Sequence, residues 1–156
     1  MPLLKNGAVT ADPWHDGTAG LIVTVDEWRA QRDTLLARNV PLGLRLAPSD
    51  DVETIGDDAR RFALIAIDFP AFTDGRPYSG ARVLRERYGY DGELRATGQV
   101  LRDQLSFMQR CGFDAFEIAN PNAAQDFAAA VGEISVVYQP AGDRQRSSAA
   151  SAHRVA

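Results

Sequence analysis

The sequence predicts an α/β domain of repeated βα units forming a mainly parallel sheet, either an open three-layer sheet or a partial (β/α)-barrel. Three observations carry this. Short segments of strand length and composition recur at Leu42–Leu46, Phe62–Phe69, Glu93–Thr97 and Asp114–Ile118. Segments of helical pattern, roughly 10–15 residues long, separate them, which is the spacing of right-handed crossovers between parallel strands. Asn39, Pro41, Gly89 and Gly112 punctuate the joins. A chain of 156 residues, 45% hydrophobic and 24% charged, suits one soluble domain with an ordinary core.

In chain order, residues 1–20 are rich in Gly, Asp, Thr and Ala around Trp14 and His15, and read as an irregular arm or a short hairpin. A single domain then spans 21–138. Leu21–Val25 is a short edge strand. Asp26 reads as the N-cap of a helix through about Arg38, with Trp28, Leu35 and Leu36 on its apolar side. After Leu42–Leu46 a short helix over Val52–Arg60 follows, with Asp50 and Asp51 at its positive end. Phe62–Phe69 is the most apolar strand. Ser79 reads as the cap of a helix to Tyr88, ended by Gly89. Gln99–Arg110 is a helix closed by Gly112 in the C′ position. Asn122–Val131 is an alanine-rich helix and Ile134–Tyr138 a last strand. From 139 to 156 Ser, Ala, Arg and Gly without periodicity predict a disordered tail.

Strand alternation places an ionisable residue off the most apolar row of each core strand. Leu42, Leu44 and Leu46 share one face of their strand and leave Arg45 on the other. The same count sets Asp68, Arg95 and Glu117 apart, with Arg95 alongside Glu93 and Thr97. Charges on a sheet face need pairing or water. Two readings follow: structural ion pairs such as Arg45 with Asp68 and Arg95 with Glu117, or a polar site on the face of a barrel-like sheet. On the second, Asp68, Arg95 and Glu117 are the catalytic candidates, with Asp68, Asp74 and Glu117 able to act as a general base.

Ligands of parallel sheets bind where strands end and helices begin. Of the loops there, Pro70–Ser79 is long and composed like a binding loop. Asp74, Arg76, Tyr78, Ser79 and Arg82 form the best anion-binding group, combining guanidinium forks with a helix N-terminus. The plainer reading makes Ser79 only a cap, Asp74-Gly75 only a turn, and Arg76 a partner for Asp68 or Asp74.

Composition excludes several classes. A net charge of -4 argues against a nucleic-acid binder. Of 17 basic residues only Lys5 is lysine, so 16 are arginine, the residue suited to oxyanions. Cys111 is alone, ruling out an internal disulfide, and it sits at a helix C-terminus, where a thiol's pKa rises; a structural role fits it best. Leu105, Phe107 and Met108 read as core, and Trp14 and Trp28 as packing residues. His15 and His153 lie far apart, so no metal or haem site is expected. No G-x-G-x-x-G, P-loop, nucleophile elbow or H-E-x-x-H occurs, so no cofactor is expected. The chain has neither signal pattern nor apolar run of membrane length, and a cytoplasmic location is expected.

The runs Phe72, Asp74-Gly75-Arg76, Tyr78-Ser79, Ala81-Arg82, Leu84-Arg85, then Gly92–Gly98 and Asp103–Phe116, carry a resemblance. Over about residues 20 to 138 the chain resembles a bacterial domain family of unknown function encoded beside the assimilatory sulfite reductase haemoprotein, often labelled a probable oxidoreductase or accessory protein in sulfite reduction. The resemblance implies a sulfur-assimilation context and a reductase partner, and supplies no catalytic residues. The expectation is an accessory protein that docks on the reductase and/or binds an oxyanion. The alternative is a small cofactor-independent enzyme acting on a sulfur oxyanion or phosphorylated metabolite at the strand C-terminal edge. A homodimer would complete a short sheet with one polar side.

Overall fold

The structure, a computed structural model, describes residues 3–71, 74–118 and Ala129. Seven strands form one sheet: β1 (Leu3–Lys5), β2 (Ala8–Thr10), β3 (Leu21–Thr24), β4 (Leu42–Leu46), β5 (Leu64–Phe69), β6 (Glu93–Gly98) and β7 (Ala115–Glu117), in the spatial order β2-β1-β7-β6-β5-β4-β3. The strands from β3 to β7 are parallel and lie in chain order. β1 joins antiparallel to β7, and β2 to β1. This is the mainly parallel α/β sheet that the sequence predicts.

Residues 3–10 form a hairpin, one of the two readings of the N-terminal region. Asn6 and Gly7 both adopt positive φ, 54° and 80°, as a two-residue hairpin turn requires. Helix α1 (Val25–Ala37) begins earlier than expected, because Thr24 and not Asp26 caps it. Thr24 Oγ1 accepts from the Glu27 amide at 3.2 Å, and Glu27 Oε2 accepts from the Thr24 amide at 2.8 Å, a reciprocal capping box. The expected helix over Val52–Arg60 is two 3₁₀ segments, Val52–Thr54 and Gly56–Arg61, broken where Gly56 takes φ 54°.

Helix α2 (Arg76–Arg82) runs on through a π-helical turn over Val83–Arg87. It starts three residues before the expected Ser79, because Pro77 pre-sets φ for a first turn and the Asp74 carboxylate accepts the Arg76 amide at 2.9 Å. The expected helix over Gln99–Arg110 is shorter: a 3₁₀ turn at Arg102–Gln104 leads into α3 (Leu105–Cys111). Gly112 ends α3 at φ 116°, as its C′ assignment requires. The expected helix Asn122–Val131, strand Ile134–Tyr138 and tail 139–156 lie outside the described residues.

Strand order decides which faces are covered. Successive right-handed crossovers that always step the same way put every helix between β3 and β7 on one side of the sheet. The main core sits there: Leu44, Leu46, Ile65, Ile67, Phe69, Leu94 and Phe116 from the strands meet Trp28, Leu35, Ala81, Leu84 and Met108 from the helices. The register puts Arg45, Asp68, Arg95 and Glu117 on the opposite face, which is helix-free among the described residues. The loop between β2 and β3 crosses that face. Gly43 leaves room there for Trp14, since a Cβ at Gly43 would lie 3.2 Å from the Trp14 ring. Of the expected arrangements, the strand order is that of an open, mostly parallel α/β sheet. No helix among the described residues is long and apolar enough to cross a membrane.

Candidate functional site

At the centre of the helix-free face, Arg95 is 1% exposed and bonded to three carboxylates. Nη1 and Nη2 grip Asp12 at 2.7 and 3.0 Å, Nε donates to Glu93 at 2.9 Å, and Nη1 reaches Glu117 at 3.1 Å. Lys5 adds a second cation to Glu93 at 2.8 Å. Of the two sequence readings, Arg95 and Glu117 therefore follow the ion-pair one. The guanidinium's donors are turned to protein groups, so substrate would have to displace a carboxylate to reach it. Asp12 is the residue that sequence reasoning missed, since nothing in a loop of Asp, Pro, Trp and Gly marks a partner 83 residues away.

Burial pushes the Asp12 carboxyl up, but the Arg95 hydrogen bond and charge, with the amides of Trp14 and His15, outweigh it and hold it below the ordinary 3.8. A carboxyl depressed in the folded state stabilises the fold above its unfolded pKa, and that stability is lost as pH falls through the folded value. Asp12→Asn should therefore cost about 1.5–3 kcal/mol at pH 7. The gap between the urea midpoints of wild type and variant should narrow as pH falls below about 4. An equal gap at pH 7 and pH 2.5 would show that packing of the loop, and not the Asp12 charge, is what the substitution removes.

The other expected pair does not form. Arg45 is exposed and makes no hydrogen bond or ion pair among the described residues. Asp68 instead accepts from the Thr97 hydroxyl at 3.1 Å. The register explains this: Arg45 is opposite Ala66, so Asp68 lies one same-face position further along β5.

The five residues expected to bind an anion are divided. Asp74 clasps Arg76 in a fork, with Nε at 3.0 Å and Nη2 at 2.6 Å, and this pairing and the Arg76 amide bring its carboxyl down to about 2. Ser79 is no cap: its amide donates to the Gly75 carbonyl at 3.3 Å, inside the second turn of α2. Tyr78 turns to the other side, its hydroxyl donating to Gln104 at 3.1 Å and its ring against Phe69 and Phe107, with centroids 5.0 and 4.7 Å away. Burial first, then the neighbouring Cys111, pushes that hydroxyl's pKa up. Arg82 pairs with Glu86 at 3.5 Å. Cys111 is buried, and burial raises its thiol against the opposing pull of Arg82 and Arg110, as a structural cysteine requires.

Two adjoining hollows open at the C-terminal ends of β4 and β5. The larger, about 660 Å³, is lined by Ser49, Asp50, Asp51 and Glu53 on one wall and Arg76 and Ser79 on the other. Its carboxylates are engaged: Asp50 accepts the Ala47 amide at 2.7 Å, Asp51 caps the first 3₁₀ segment at 2.9 Å, and Glu53 pairs with Arg87 at 2.9 Å. Arg76 and Ser79 thus line one wall of a cleft whose other wall is acidic. The smaller hollow, about 500 Å³, holds Thr24, Asp26, Arg45, Ser49 and Asp68. Among the described residues no group of three or more His, Cys, Asp and Glu side chains is arranged to hold a metal ion.

Apolar side chains reach solvent near the same edge. Phe107, beside half-buried Tyr78, is 41% exposed, and Leu101 is 39% exposed. Phe107 thus departs from the core position expected for it, because α3 turns Leu105 and Met108 inward and Phe107 lies off that stripe. Residues 43–149 match the bacterial family described as a protein of unknown function, DUF934. No curated protein matches the chain.

Proposed function

The chain belongs to this bacterial family, which matches more than half of its length, and on that premise we propose that it is an accessory protein of assimilatory sulfite reduction that docks on the reductase haemoprotein. The observation that carries the accessory reading is that Arg95, Glu117 and Arg76, three of the charged residues suited to catalysis or anion binding, are already paired. Arg95 is paired with Asp12, Glu93 and Glu117 together, and Arg76 is clasped by Asp74. Solvent-facing Phe107 and Leu101 supply what a docking surface needs, an aromatic and an aliphatic side chain outside the core. The sulfur-assimilation context comes from the family resemblance of the Asp74–Arg85, Gly92–Gly98 and Asp103–Phe116 runs.

Titration against the co-encoded reductase, with and without sulfite, tests this reading. Saturable binding is expected, weakened at least tenfold, about 1.4 kcal/mol, by Phe107→Ser. Sulfite-dependent binding would extend the reading to an oxyanion held by Arg76 and Ser79. Absence of binding under both conditions would sink the docking role.

A further inference from the structure

A cation and a carboxylate share one hollow at the strand C-terminal edge without bonding to each other. Arg45 on β4 and Asp68 on β5 lie on the helix-free face, one same-face step apart along adjacent strands. That spacing sets their Cα atoms about 8 Å apart. Both line the 500 Å³ hollow with Thr24, Asp26, Ser49 and Asp50. Asp68 is fixed by the hydroxyl of Thr97, itself 2% exposed, and Asp50 is taken by the Ala47 amide. Arg45 has no partner among the described residues, although an opposite charge stands across the hollow.

We infer that this hollow binds a free α-amino acid, with the ligand's carboxylate on the Arg45 fork and its ammonium on Asp68. The charge balance selects a zwitterion. A bare oxyanion would face Asp26, Asp50 and Asp68 with one guanidinium in its favour, and a bare amine would leave Arg45 unmatched. A ligand carrying both charges satisfies both residues, and it needs no displacement of an existing ion pair. Guanidinium and carboxylate match in a planar, two-bond geometry that fixes orientation. The volume lies within the ordinary range for small-molecule sites and leaves space for a short side chain. This site does not depend on the docking role, and neither Arg45 nor Asp68 belongs to the Phe107 surface.

Calorimetric titration and thermal shift of the full chain with glycine, L-alanine and L-serine test the assignment. N-acetylglycine, which lacks the cation, glycinamide, which lacks the carboxylate, and sodium sulfite serve as comparisons. Saturable binding of the free amino acids is expected, at least tenfold tighter than any of the three comparisons. Arg45→Gln and Asp68→Asn should each weaken it at least tenfold, while the unliganded melting temperature stays near that of wild type. Sulfite or N-acetylglycine binding as tightly as glycine would overturn the assignment. So would amino-acid affinity that survives Asp68→Asn, or no binding of any free amino acid by wild type.

Discussion

Arg95→Met is expected to destabilise the fold by about 3–5 kcal/mol, enough to unfold a large fraction of a marginally stable domain. The guanidinium is 1% exposed and pairs with Asp12, Glu93 and Glu117 from three separate segments. Without it, Lys5 on Glu93 is the one cation left in the cluster among the described residues, and the carboxylates stay out of water. The loss arises from stranding those charges and not from the intrinsic worth of the pairs. Combining Arg95→Met with Asp12→Asn, Glu93→Gln and Glu117→Gln should therefore recover much of the stability. Urea unfolding of the single and combined variants reads both effects. A single-variant cost under about 1 kcal/mol would mean that water already enters the network.

Arg85→Met should have the next largest effect, about 3–4 kcal/mol, because one buried side chain joins two loops at the strand N-terminal edge. Arg85 is 4% exposed. Its Nε donates to the Gly112 carbonyl at 2.9 Å, and its Nη1 to the carbonyls of Tyr90 and Gly92 at 2.8 and 2.9 Å. It also pairs with Asp114 at 3.6 Å, whose carboxylate accepts the Leu94 amide at 2.8 Å. Those contacts fix the entries to β6 and β7. Arg85→Lys should recover less than half of the loss, since a single ammonium cannot span carbonyls that a planar fork reaches together. Arg82→Ala, one turn away on the exposed side of the helix, should change stability by no more than about 0.5 kcal/mol. Thermal unfolding of the three variants distinguishes a buried tie from general loss of arginine.

The site was partly legible. The alternation that set Arg45, Asp68, Arg95 and Glu117 off the apolar row placed all four on one face, because side-chain direction in a strand follows from sequence alone. Whether they pair depends on register between strands, and there the two expected pairs divided. Arg95 meets Glu117, while Arg45 stands one step from Asp68. Ser79 misled because a serine before a helical pattern is a common cap, whereas Pro77 and the Asp74–Arg76 contact started the helix earlier. Phe107 misled because an aromatic near Leu105 and Met108 suggests core, yet its place on the helix decides burial.

By itself the sequence determined the class of fold and several element limits. β4 spans Leu42–Leu46 as read, and Gly112 closes α3 in the left-handed conformation. Such features depend on local spacing, backbone freedom and turn chemistry, all of which a short segment carries within itself. Tertiary structure alone decided that the helices cover one face and that the loop carrying Asp12 crosses the other to clasp Arg95, 83 residues away. Strand order and long-range ion pairing follow from how the whole chain closes around its core. No window of neighbouring residues encodes that closure.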